Sequence, residues 1–399
     1  MEVANRLQYS CVMKKKTVLL AGSLPKKKKM IWLVFTIMIL LLTAYINRQQ
    51  VFELTNIDYY TNLYSQSQYI LGDAAVQQIS DGDLYVYAGY AYLNGEDPTT
   101  INFEHPPLAK YIYGLSYRLF SRAKMLNLVM YLAVLLIFVR LSSFVTDNQK
   151  VQALALIVFS SLALVRSQPA LSLLDMPLLI SIMSLFVLLF RGWQKISLKY
   201  LCLGVCLGFI ASIKYPFPSM FLPVGIVVIH SWFKKELKYF GLVIPGLLGI
   251  YLLSYLMFFL HDHSFIDFIN FEKYRFSWWV GGRTAPKWLI LSSLIFGQYK
   301  AWWQDGLTIS SPQWWQVWLP VLFFTGTLAW IRLMVTRFTQ LIDKSPHEVN
   351  IFILGLYMSG QLLMYGYGAA SDVRYLLQLV PFWILLSMIW FVPRKMTSN

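Results

Sequence analysis

Apolar residues in this chain come in long blocks with almost no charge inside them. The blocks cover residues 31–46, 124–145, 150–166, 174–191, 199–213, 217–233, 238–260, 316–333, 348–366 and 375–392. As helices they suit a bilayer core about 30 Å thick. The pattern predicts an all-α, polytopic transmembrane bundle of about ten spans. Counting residues 108–120 and 288–296 as well would make twelve, but both stretches are short for a crossing. Residues 108–120, interrupted by Lys110 and Arg118, read better as a juxtamembrane helix on the membrane surface.

Composition supports this class. The chain is 57% hydrophobic and only 13% charged, against about 25% charged in soluble domains. Soluble enzymes, disordered scaffolds and DNA-binding domains are excluded. The net charge of +15 does not point to nucleic acid, because seven lysines sit in two runs, Lys14–Lys16 and Lys26–Lys29, just ahead of the first block. Basic residues flanking a span mark its cytoplasmic side and lie well against anionic headgroups. The first block lacks a small-x-small cleavage pattern and runs into Tyr45, Asn47 and Arg48, as an uncleaved signal anchor would. The three cysteines form no disulfide framework: Cys202 and Cys206 stand four apart in an apolar helix, and Cys11 lies in the basic tail.

Charge then sets the expected topology. Residues 47–107 carry Glu53, Asp58, Asp73, Asp81, Asp83, Glu96, Asp97 and Glu104, opposed by Arg48. A long acidic loop after a lysine-flanked span belongs outside. Ten spans with both termini inside place Lys150, Arg191, Lys195, Lys199, Lys234, Lys235, Lys238, Arg332, Arg337, Lys344, Arg394 and Lys395 in the cytoplasm. Arg118, Arg122 and Lys124 are the exceptions. The expected organisation is a cytoplasmic tail over 1–29, a membrane domain over 30–392 with external loops 47–123 and 261–315, and a cytoplasmic tail over 393–399.

The same parity gathers polar residues on the outer face: Asp81, Asp83, Glu104, His105, Asp175, Lys214, His261 to His263, Asp372 and Arg374. An ionisable group at membrane depth costs roughly 2.5–3.5 kcal/mol, so clustering at one level suggests a site. A transporter would place its charges near the midplane on broken helices, whereas the middles of these spans are nearly uncharged. A carboxylate in a partly dry cleft suits a general base, and a Lys or Arg at headgroup depth suits a lipid phosphate. Each feature also has a plainer reading. Asp81 and Asp83 suit the N-terminus of a helix near Leu84, and Asp175 that of its own span. Glu104 and His105 suit a loop turn before Pro106. Lys214 and Arg374 suit snorkelling to headgroups. Trp278, Trp279, Trp302 and Trp303 suit an interfacial belt.

The stretches Asp81-Gly-Asp-Leu-Tyr-Val-Tyr-Ala, Leu93-Asn-Gly-Glu-Asp-Pro98 and Glu104-His-Pro-Pro-Leu-Ala-Lys110 resemble the first luminal loop of protein O-mannosyltransferases. They are similar, too, to bacterial aminoarabinose transferases, which share the GT-C fold. Weaker echoes follow in Leu173-Leu-Asp-Met-Pro-Leu178, Ser212-Ile-Lys-Tyr215, Ser311-Pro-Gln-Trp-Trp-Gln-Val-Trp318 and Ser371-Asp-Val-Arg-Tyr-Leu-Leu377. The family's Asp-Glu pair reads Asp81-Gly82 here, with Asp83 the next acid, and Ala170 stands where a family arginine precedes the second acidic motif.

The resemblance implies a bacterial or archaeal-type glycosyltransferase of a cell membrane, taking mannose or a similar sugar from a polyprenyl-phosphate donor with inversion. Asp81 is then the base, with Asp83 its understudy. Glu104, His105 and Asp175 shape the acceptor side, while Lys214, Arg374 and Tyr375 hold the donor phosphate. The acceptor is a hydroxyl of a protein, glycan or lipid. A divalent metal would draw on Glu104, His261 and His263. The competing readings are a lipid-linked sugar flippase or transporter, and a membrane protein that keeps the fold without catalysis.

Overall fold

Each of the ten apolar blocks forms a helix or a broken helix in the computed structural model, which describes residues 26–214, 216–281, 287–301, 307–342, 346–368 and 371–391. The basic tail with Cys11 and Lys14–Lys16, as well as Tyr215, Trp302, Trp303, Lys344, and the 393–399 tail with Arg394 and Lys395, lie outside the described residues. Among those described, Leu126–Val145, Ile196–Ile213, Leu237–Ser254, Trp318–Thr336 and His347–Tyr367 are long and apolar enough to cross a membrane. Shorter apolar helices over Met30–Ile46, Asp175–Phe190, Met220–Phe233 and Val380–Phe391 fill four more of the blocks. The chain is a multi-pass integral membrane protein.

Several expected spans are not continuous. The block at 150–166 is two helices, Gln149–Ser161 and Ala163–Ala170, bent by 71°. Leu162 between them is extended, and the freed N–H of Ala163 donates to the side chain of Gln316 at 2.8 Å. A buried donor released by a break needs such a partner. The block at 238–260 opens with a 3₁₀ turn, Leu237–Leu242, and breaks again at Tyr255. The last block is a 3₁₀ turn, Val373–Gln378, followed by a short helix with Pro381 in its first turn. Proline fits there because that N–H lacks a partner inside the helix anyway.

The all-α bundle is the fold observed, with one local addition: β1 (Gln298–Lys300) and β2 (Thr308–Ser310) form a short antiparallel pair in the second large loop, with Tyr299 opposite Ile309. This loop is outside the apolar blocks, and no alternation long enough to announce a strand marks it.

Two helix pairs set the frame for the polar residues. Helix α1 (Asp81–Leu93) packs on α2 (Leu108–Phe120), the expected juxtamembrane helix. Their backbones meet at Gly89 and Gly114, where a Cβ on either would collide with the other helix's backbone. Helix α3 (Asp175–Phe190) packs on α4 (Ile196–Ile213), and α4 lies against α5 (Val243–Ser254) in a second close approach through Gly204 and Gly246. Small residues allow this contact, and dispersion between closely packed helices holds it where lipid removes the usual apolar driving force. The buried core runs through all of these helices and into the final one, where Phe382, Trp383 and Leu385 are fully buried. Cys206 is buried, with its thiol on the Ser181 carbonyl, as a packing cysteine would be.

Candidate active site

The polar residues converge where helices end, and the ends of α1, α3 and α4 suit the charges they carry. Asp81 and Asp83 lie in the first turn of α1, and Asp175 begins α3. Lys214 follows the last residue of α4. Carboxylates are favoured at helix N-termini and cations at C-termini, by about 0.3–1 kcal/mol each.

Asp81 and Asp83 are only two residues apart, yet they do different things. Ser80 caps α1, its hydroxyl accepting from the Asp83 N–H at 3.3 Å and donating to the Asp83 carboxylate at 2.7 Å. This is a capping arrangement in which the N3 side chain closes back on the cap residue. Asp81 instead reaches across the fold to Arg374, with its Oδ2 2.7 Å from Nη2. Arg374 also faces Asp372 at 3.6 Å and lies over the ring of Tyr375 at 5.3 Å. Lys214 lies over the same ring at 4.7 Å and binds Asp175 at 2.7 Å. Asp175 thus sits with the cations and not with Glu104 and His105. Its backbone carbonyl is gripped by Gln378 at 2.8 Å.

The cluster sets three carboxylates, Asp81, Asp175 and Asp372, against two cations, Lys214 and Arg374. Burial raises the carboxyl of Asp372 above its ordinary value despite the opposing pull of Arg374. Tyr299, on β1, donates to Asp372 at 3.3 Å, and burial and then Asp372 raise its hydroxyl. Burial works against the charge of Arg374, but Tyr375 and the three carboxylates outweigh it and hold its pKa well above the usual guanidinium value.

Glu104 and His105 form a second wall. Tyr69 hydrogen-bonds the side chain of Glu104, and burial, Glu104 and then Asp81 raise its hydroxyl. The charges of Asp81 and Glu104 both act on Tyr69 and Tyr85, so the two acids share one face. The His105 ring packs near Trp279 and Tyr85, and Trp279 donates to the Glu104 carbonyl at 2.9 Å. Lys110 is wholly buried, with its ammonium on the carbonyls of Asn102 and His105 at 2.9 and 2.7 Å. Burial pushes its pKa well down. In the sequence it looked like a charge interrupting an apolar helix; here it staples the Glu104–His105 loop to α2.

The proposed metal set is not assembled. His261 takes the Gly95 carbonyl at 2.6 Å, His263 pairs with Asp97 at 3.0 Å, and Glu104 turns to Tyr69. Among the described residues no three His, Cys, Asp or Glu side chains come together as a metal site. The two histidines fasten one loop to another.

Sequence reading missed Tyr299, Lys110 and Arg275. Arg275, on α6 (Phe265–Gly281), is fully buried and binds Tyr251, Tyr255 and Glu272. Its position among aromatic neighbours at helical spacing, next to Glu272, was the available signal. One turn before Lys214, Ala211 lines an apolar cavity of about 730 Å³ with Met220, Leu247, Tyr251, Phe268 and Glu272.

Two solved structures have the same fold. ArnT from Cupriavidus metallidurans bound to undecaprenyl phosphate matches with a TM-score of 0.54 at 12% identity, covering 88% of this chain and 59% of its own. Its apo state gives 0.53 at 12% identity, covering 91% and 60%. The chain therefore spans about three fifths of the length of these structures. No curated protein matches it significantly. The family model for dolichyl-phosphate-mannose-protein mannosyltransferases matches residues 30–261, more than half of the sequence, and the chain belongs to that family.

Proposed function

We propose that the protein is a membrane glycosyltransferase that moves a sugar from a polyprenyl-phosphate carrier to an acceptor hydroxyl, with inversion. The observation that carries this reading is the Asp81–Arg374 contact, which sets a partly exposed carboxylate directly beside two cations that share the Tyr375 ring, Arg374 and Lys214. Arg374, Lys214 and Tyr375 receive the donor phosphate; that the similar ArnT structure holds undecaprenyl phosphate supports a carrier of this class. The apolar cavity that starts one turn below Lys214 suits its hydrocarbon chain. Asp81 takes the proton of the acceptor hydroxyl as its oxygen attacks the anomeric carbon. The bond from that carbon to the phosphate oxygen breaks, and its electron pair leaves with the polyprenyl phosphate, whose growing charge Arg374 stabilises. Glu104 and His105 shape the acceptor side. The family points to mannose, and a protein, glycan or lipid supplies the hydroxyl.

The site lies outside and both termini inside, in keeping with the lysine-flanked first span and the acidic loop after it. A transporter is the weaker reading, since the charged residues stand at helix ends and not at a midplane break. The test incubates purified protein in lipid with a panel of polyprenyl-phosphate sugars and follows release of the polyprenyl phosphate. Mannose-dependent release that needs an added acceptor supports the reading. Passage of the intact donor across the membrane without release refutes it.

A further inference from the structure

Resting on the reading above, we infer that donor phosphate and Asp81 compete for Arg374, so that donor binding frees the base and regeneration of the base expels the spent carrier. With three carboxylates facing two cations, the pocket at rest has no surplus positive charge for a phosphate. One carboxylate must give way, and the two ion pairs differ in how easily they can. The Asp175 side chain is 3% exposed, begins a buried helix, and has its carbonyl fixed by Gln378. The Asp81 side chain is 43% exposed in the first turn of α1, where the helix N-terminus stabilises its charge without a partner. Asp81 is the one that leaves.

A phosphate offers the planar fork of Arg374 two oxygens where Asp81 offers one contact, so the exchange favours the donor. Asp81, released, has both oxygens available to an acceptor hydroxyl. After transfer it carries a proton and is neutral, and the polyprenyl phosphate keeps Arg374. Loss of that proton to water restores the carboxylate, which competes for Arg374 again and helps the product leave. No bond beyond those of the transfer forms or breaks.

Competition makes a prediction opposite to that for a residue that helps hold the ligand. Binding of labelled undecaprenyl phosphate would be measured in nanodiscs of neutral lipid for the wild type, Asp81→Asn, Asp83→Asn, Arg374→Ala and the Asp81→Asn/Arg374→Ala double variant. Asp81→Asn should bind about fivefold more tightly, the scale of a partly exposed ion pair. Asp83→Asn removes the same charge two residues away from a group bonded to Ser80, and should change affinity by less than twofold. In the Arg374→Ala background the gain from Asp81→Asn should disappear. Equal or weaker binding by Asp81→Asn, or a gain that survives without Arg374, overturns the competition. Failure of the wild type and of every variant to bind the lipid overturns the reading of the pocket itself, and the competition with it.

Discussion

Breaking the Lys214–Asp175 pair tests whether this end of the bundle is held by charge. The two groups are 2.7 Å apart, with side chains 14% and 3% exposed. Removing one member of a buried pair leaves an uncompensated charge and typically costs about 3–5 kcal/mol. In Lys214→Met the Asp175 carboxylate stays buried, and the Gln378 amide does not make up the loss because it binds the backbone carbonyl. Arg374 still acts on Asp175 through space, which places the expected cost near the low end, about 3 kcal/mol. Asp175→Asn should cost less, about 1–2 kcal/mol, since the longer and more exposed Lys214 can swing toward water. Replacing both, as Lys214→Met with Asp175→Asn, should recover most of the Lys214→Met loss, because the neutral pair leaves no buried charge. Denaturant unfolding in mixed micelles, run as a double-mutant cycle, measures all three. Wild-type stability in Lys214→Met, or single effects that simply add in the double variant, would refute the argument and return Lys214 to a headgroup-snorkelling residue.

The base assignment makes Asp81→Asn lose at least a hundredfold in turnover with its fold intact, while Asp83→Asn loses about 1 kcal/mol of helix capping and stays within a few-fold in turnover; steady-state release of polyprenyl phosphate decides, and full activity in Asp81→Asn would sink it. Burial raises the folded-state pKa of Asp372, so the fold binds that proton more strongly than the unfolded chain does, and the resulting stability is lost as pH rises through the raised value. Asp372→Asn should therefore gain on the wild type in unfolding midpoint as pH climbs from the ordinary aspartate range toward neutrality, and a difference that does not change with pH would contradict this. For topology, single cysteines at Ser65 and at Lys235 in a cysteine-free background should label from opposite sides with an impermeant thiol reagent. Labelling of both from one side would overturn the expected parity and the external placement of the site.

The span pattern was legible because an apolar block needs no partner to announce itself. Lipid or a neighbouring apolar helix selects its composition, so every block falls on a helix or a broken helix, and three of them match one to within three residues at each end. The helix end at Lys214 was readable for a similar reason: the apolar run stops there, ahead of Tyr215 and Pro216. The breaks were not readable. The bend at Leu162 depends on Gln316 arriving from far along the chain to take one N–H, and nothing within the 150–166 block records that. The β1–β2 pair escaped because its three-residue strands are too short to show a period.

The site was legible in its parts but not in its pairings. Motif positions named Asp81, Asp175, Lys214 and Arg374, yet which carboxylate meets which cation is settled by packing between helices distant in sequence. Asp81 and Arg374 are 293 residues apart, and Lys214 and Asp175 are 39 apart. Asp81 and Asp83 were hard to rank from the sequence because both are acids in the first turn of one helix. Position decides between them locally: Asp83 is at N3, where a side chain folds back on its cap, and Asp81 at N1 is left to face the rest of the molecule. A Ser three residues before an acid is itself a sequence signal, so Ser80 could have assigned Asp83 to the cap at the start. Lys110 is the reverse case. An isolated lysine in an apolar helix looks like a surface charge, and it is the Asn102 and His105 carbonyls, folded back over the helix start, with the rings of Tyr85 and Tyr92, that make its burial tolerable. The Glu104–His105 wall therefore rests on a lysine whose role cannot be seen until that loop has closed upon it.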